Sequence, residues 1–140
     1  MSADLDQRVA AYLDLHGLTA AVQRTVLLTG DASDRRYVRV LLRDQPSIVL
    51  SVHAGPIDYA TSPFVRVAEL FAAMPVPIPA LLHHDDALGI LAQQDLGDVT
   101  LQAHLGGASS TERAKRYREA VGLIVRIQQR GAALASAAYP

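Results

Sequence analysis

The chain has 140 residues, half of them hydrophobic, with 13 Lys and Arg against 14 Asp and Glu and a net charge of −1. That length suits one domain with a sizeable core, and the near-neutral balance argues against nucleic acid as a partner. Cysteine is absent, which excludes a disulfide framework and a thiolate metal centre; with no apolar run of membrane-spanning length and no signal-peptide core, the expectation is a cytoplasmic protein without a membrane partner.

Leu5, Val9, Tyr12 and Leu13 recur at helical spacing and predict an amphipathic first helix that stops near Gly17. A strand over Val26–Thr29 follows, then a loop of small and polar residues that ends in the adjacent Arg35 and Arg36. Tyr37 to Leu42 and Ser47 to Val52 read as two more strands around the turn Arg43-Asp44-Gln45-Pro46. Arg39, further along the same run, should matter little to an anion if it faces solvent. The loop has two readings. Gly30, Ala32 and Ser33 are small enough to let backbone N–H groups approach an anion, with Arg35 and Arg36 adding charge-assisted contacts to phosphate. Alternatively it is an ordinary hairpin connection with solvated arginines.

Ser62-Pro63 opens a second helix whose face of Phe64, Val67, Leu70, Phe71 and Met74 is expected to pack on the sheet. Pro75-Val76-Pro77-Ile78-Pro79 suits an extended connector. A second hairpin is predicted over Leu81–His83 and Leu88–Ala92, with His84-Asp85-Asp86-Ala87 as a solvated turn rather than a metal site. A short helix over Val99–Leu105 and a long one from the capping box Ser109-x-x-Glu112 to Gly131 complete the order. The apolar stripe of that long helix (Tyr117, Val121, Ile124, Ile127) is expected to be buried, either by folding back on the sheet or by pairing with a second copy.

Two absences bear on catalysis. There is no asparagine in the chain and no aspartate after Asp98, and Lys115 is its single lysine.

The segments Gly30-Asp31-Ala32-Ser33-Asp34-Arg35-Arg36-Tyr37, Pro63–Leu70, Val76-Pro77-Ile78-Pro79 and Asp95-Leu96-Gly97-Asp98 fall in an order that resembles the aminoglycoside phosphotransferase superfamily. Within it they are most similar to the anomeric sugar kinases that phosphorylate N-acetylmuramate and N-acetylglucosamine in cell-wall recycling. The resemblance implies an α+β fold: a protein-kinase-like N-terminal lobe of about five antiparallel strands with one packed helix over residues 1–95, then the hinge and first helices of a C-terminal lobe over 96–140. It also implies ATP, Mg²⁺ and an amino-sugar substrate. Gly30, Ala32, Ser33, Arg35 and Arg36 would cover the phosphates, Leu28 and Val40 would enclose the adenine, and the backbone of Gln93, Gln94, Asp95 and Leu96 would contact its edge.

The chain departs from the family pattern in three ways. The third strand carries no phosphate-binding lysine, for which Arg35 or Arg36 would substitute in charge. Glu69, the candidate glutamate for pairing with such a lysine, sits later than expected. The catalytic aspartate and the metal-binding Asp and Asn would lie beyond residue 140, so no catalytic or metal-ligating residue is assigned and this chain alone is expected to be inactive. The leading expectation is therefore the ATP-binding portion of a small-molecule phosphotransferase; the alternative is a non-catalytic nucleotide- or ligand-binding regulatory module.

Overall fold

The computed structural model describes residues 3–28 and 34–134. They form an α+β architecture of α1 (Ala3–Leu15), β1 (Val22–Leu27), β2 (Arg36–Leu42), β3 (Ile48–Val52), α2 (Pro63–Ala73), β4 (Leu81–Asp85), β5 (Ile90–Gln94), α3 (Leu101–Gly106) and α4 (Ser110–Leu134). The five strands make one antiparallel sheet in the order β1-β2-β3-β5-β4. Packing separates two units: residues through Val65 with Pro79–Leu96, and Arg66–Ile78 with the residues from Gly97.

In the first unit, strand alternation sorts the side chains onto two faces. Val38, Val40 and Leu42 of β2, Ile48, Leu50 and Val52 of β3, and Ile90 and Ala92 of β5 share one core cluster with Leu5, Val9, Tyr12 and Leu13 of α1. The helix in this core is α1. Leu50 and Ala92 are register partners at its centre, and both are fully buried.

The end of α1 follows from Gly17. Its φ of +65° lets the chain reverse, so that the Leu18 N–H reaches the Leu13 carbonyl at 2.8 Å and the Gly17 N–H reaches Asp14 at 3.0 Å. Those bonds satisfy carbonyls a helix end otherwise leaves open. Arg8 then ties the helix to the sheet. Its Nε donates to the Leu88 carbonyl at 3.0 Å and its Nη1 to the His53 carbonyl at 2.9 Å, while Nη2 also donates to Leu88. The β4–β5 turn meets the β3 exit closely there. Gly89 has a φ of +63°, and a Cβ on it would overlap the Gly55 carbonyl oxygen.

Several boundaries differ from the periodicity. Strand β1 begins at Val22, because an edge strand tolerates the exposed Gln23 and Arg24. Strand β4 runs to Asp85, so His84 and Asp85 are strand residues and the turn is made by the residues after them. On α2 the buried residues are Val65 and Ala68, whereas Phe64 and Val67 are well exposed.

In the second unit, Thr100 caps α3 by accepting from the Ala103 N–H at 3.1 Å, and Ser109 caps α4 by accepting from the Glu112 N–H at 3.2 Å. Helix α4 passes through Gly131 to Leu134; a glycine inside a helix costs only about 1 kcal/mol, too little to end it. No residue of α4 is buried. Tyr117, Val121 and Ile124 are each more than half exposed, so the expected burial of this stripe is not supplied within the described residues. No helix among the described residues is long and apolar enough to cross a membrane.

Candidate functional site

The sheet face opposite α1 carries the polar groups. Arg39 of β2 pairs in register with Val49 of β3, which pairs with Gln93 of β5, and one step along Tyr37, Ser51 and Leu91 form the neighbouring row. Ser51 is the buried polar residue of this face, 3% exposed, beside the buried Val49 and Leu91. The third strand therefore offers a hydroxyl at the centre of this face and no lysine.

The loop between β1 and β2 is closed at its base by the Leu28 N–H, which donates to the Tyr37 carbonyl at 2.8 Å. Gly30, Ala32 and Ser33, the expected phosphate cradle, lie outside the described residues. The two arginines at the loop's end separate. Arg36 opens β2 on the α1 side and lines a hollow of about 460 Å³ with Asp4, Arg8, Asp34 and His53. Arg35 lies with its guanidinium carbon 5.8 Å from the centre of the Phe64 ring, a cation–π distance. Burial first, and then the positive charges of Arg35 and Arg8, hold the His53 imidazole below its ordinary pKa. Arg36 thus shares a hollow with Asp4, Arg8, Asp34 and His53, whereas Arg35 has an aromatic face at its side.

Val40, expected to enclose an adenine, is fully buried in the core shared with α1. Leu28 is half-buried at the loop base. Gln93 lies on the polar face, whereas Gln94 turns toward β4: its N–H donates to the Ala80 carbonyl at 2.8 Å, and its Oε1 accepts from the Ala80 N–H at 3.3 Å. The Gln94 N–H is therefore already engaged. Leu96 is largely exposed.

Asp95 is the best-defined charged group of this segment, and Arg39 is its partner. Arg39 Nε lies 2.7 Å from Asp95 Oδ2, and Nη2 donates to Oδ1 at 2.9 Å. The Ser47 hydroxyl donates to Oδ2 at 2.7 Å. The side chains are only 13% and 6% exposed. Arg39 thus points inward and does not face solvent. Its partner stands 56 positions away, and no local pattern announces a pairing at that range.

A second cluster sits at the β4 edge. His84 Nδ1 lies 2.7 Å from Asp86 Oδ1, the Tyr59 N–H donates to Asp86 Oδ2 at 3.2 Å, and the Tyr59 ring stacks on His84 at 3.9 Å. The bond from Tyr59, then that from His84, holds the Asp86 carboxyl below the usual carboxylate range. Asp85 accepts from the Leu88 N–H at 2.7 Å. The sequence run His83 to Asp86 therefore serves strand and turn. Among the described residues no three His, Cys, Asp or Glu side chains come together to hold a metal ion.

The chain is 35% identical over 100 residues to an N-acetylmuramate/N-acetylglucosamine kinase of Neisseria meningitidis serogroup B (strain ATCC BAA-335 / MC58). The match takes in 71% of this chain but 29% of that kinase. No protein-family model matches the chain, and no solved structure does.

Proposed function

We propose that this chain is the nucleotide-binding portion of a kinase-like protein that transfers phosphate from ATP to an amino sugar. The observation that carries the reading is the 100-residue similarity to the N-acetylmuramate/N-acetylglucosamine kinase. A helix, three antiparallel strands, a helix and two further strands follow in the order of a kinase-like N-terminal lobe, which supports it. In this reading residues 1–95 are that lobe, and the segment from 96 onward is the hinge and the start of a second lobe.

The chemistry this chain would supply is binding. Phosphoryl transfer rests on positioning and on neutralising the charge of the transferring group. Arg35, at the end of the loop whose base is closed by Leu28 and Tyr37, is the cation we assign to the phosphates in place of a third-strand lysine. Arg36 is the lesser candidate, because it opens β2 on the α1 side, in phase with the core residues Val38 and Val40. The adenine edge is assigned to the backbone of Asp95 and Leu96, since the N–H of Gln94 is engaged by Ala80. Mg²⁺ finds no assembled ligand set among the described residues, so we give it no ligand in this chain and route no step through it. No catalytic residue is assigned here either.

A non-catalytic nucleotide-binding module is the second reading. Phosphate transfer to N-acetylmuramate or N-acetylglucosamine by the protein encoded in the full reading frame separates the two. ATP binding without transfer supports the second; transfer supports the first.

A further inference from the structure

We propose that Arg39, Asp95 and Ser47 form a buried clamp that sets the backbone path of residues 93–96, making Arg39 and Asp95 positioning residues for the adenine-contacting segment rather than ligands themselves. The functional half of this inference rests on the nucleotide reading above; the clamp itself stands on the geometry.

Three parts of the chain meet at one carboxylate. Arg39 comes from the middle of β2, Ser47 from the residue just before β3, and Asp95 from the first position after β5. Ladder hydrogen bonds hold Gln94, through Ala80 and the β3 pairing to Ile48. At Asp95 the ladder ends. The carboxylate takes over there, with Arg39 gripping both oxygens and Ser47 adding a bond to Oδ2. The Nη2–Oδ1 hydrogen bond and the Ser47 bond to Oδ2 hold the carboxylate from two sides, and the Nε–Oδ2 ion pair adds charge attraction. The pair is almost wholly removed from water, and such a pair is costly to break from one side because an uncompensated charge remains. The clamp therefore orients the Asp95 backbone, and with it the approach to Leu96, more tightly than an exposed loop would be held. The same contacts leave the Asp95 carboxylate 6% exposed, with its charge compensated by Arg39.

The test uses Asp95→Asn, which keeps size and one acceptor, and Arg39→Met, which keeps the packing stem. Amide hydrogen exchange is followed without nucleotide, and ATP affinity is measured by calorimetry on the same proteins. The expected result is at least tenfold faster exchange at residues 93–96 in Asp95→Asn, with β2 and β3 amides unchanged, and ATP affinity lowered about tenfold. Arg39→Lys should recover part of both effects through a single-point contact. Unchanged exchange at 93–96 in a folded Asp95→Asn protein overturns the clamp. Faster exchange with undiminished ATP affinity overturns the positioning role. If the unsubstituted protein binds no ATP, the nucleotide reading falls, and exchange alone decides whether the clamp exists. Should Arg39→Met fail to fold, Asp95→Asn and Arg39→Lys still decide it.

Discussion

Replacing Arg8 by methionine should weaken the fold far more than its position in a surface helix implies. The guanidinium is anchored by the carbonyls of Leu88 and His53, from two different strand ends. Its side chain is 18% exposed, whereas Asp4, its nearest acid at 3.9 Å, is 79% exposed. The Asp4 pair is therefore a surface interaction worth about 0–1 kcal/mol. Hydrogen bonds from a charged donor contribute about 1.5–3 kcal/mol each when both partners are shielded. Here the two carbonyls regain some water once the arginine is gone, so the sum should fall at about 2–3 kcal/mol rather than higher. Methionine keeps the apolar stem against the core, which confines the loss to the donors. For a chain of this size each kcal/mol lowers the melting temperature by about 3 °C, so a drop of about 6–9 °C is expected. Thermal and urea unfolding followed by circular dichroism measures it, with Asp4→Ala as the comparison. A loss under about 0.5 kcal/mol for Arg8→Met, or an equal loss for Asp4→Ala, would refute the assignment of Arg8 as the α1 anchor.

Burial, and secondarily the charge of Asp85, pushes the Tyr12 hydroxyl up to about 12. A group whose folded pKa is raised contributes stability that is fully present below its unfolded value, near 10, and that is lost as pH rises toward 12. The melting temperature should fall across that window and fall less steeply in Tyr12→Phe. Because the hydroxyl has no hydrogen-bond partner among the described residues, Tyr12→Phe should be no less stable than the parent at pH 7; a clear loss there contradicts this. The exposed Tyr117, Val121 and Ile124 of α4 predict concentration-dependent association of the 140-residue chain. Sedimentation equilibrium should show it, Val121→Asp should reduce it, and a monomer at all concentrations would contradict it.

Much of the sheet was legible because β2 and β3 bury alternate or successive apolar residues, and that pattern survives in one dimension. What was not legible depends on partners far away in the chain. Leu5, Val9, Tyr12 and Leu13 announce an amphipathic helix, yet nothing local says which strands it packs against. His84 and Asp85 look like turn residues because they are polar, but an edge strand has a solvent side that accepts them. Arg39 and Asp95 are the sharpest case. A charged residue in an alternating run reads as solvent-facing, and only the β2–β3–β5 ladder brings its carboxylate within reach. The loop arginines were found as a pair, but their separation depends on strand phase: Arg36 is the first residue on the α1 side of β2, and Arg35 precedes it.

The nucleotide reading is tested most directly by titrating ATP into the protein and into its Arg35→Ala and Arg36→Ala variants by calorimetry. Saturable one-to-one binding is predicted, weakened by about 1.5–3 kcal/mol in Arg35→Ala, the scale of a lost bond to a charged group. Arg36→Ala, whose side chain lies among Asp4, Asp34 and His53, should change affinity by less than about 0.5 kcal/mol. The absence of ATP binding by the parent protein, or an Arg35→Ala variant that binds as tightly as the parent, would contradict the account.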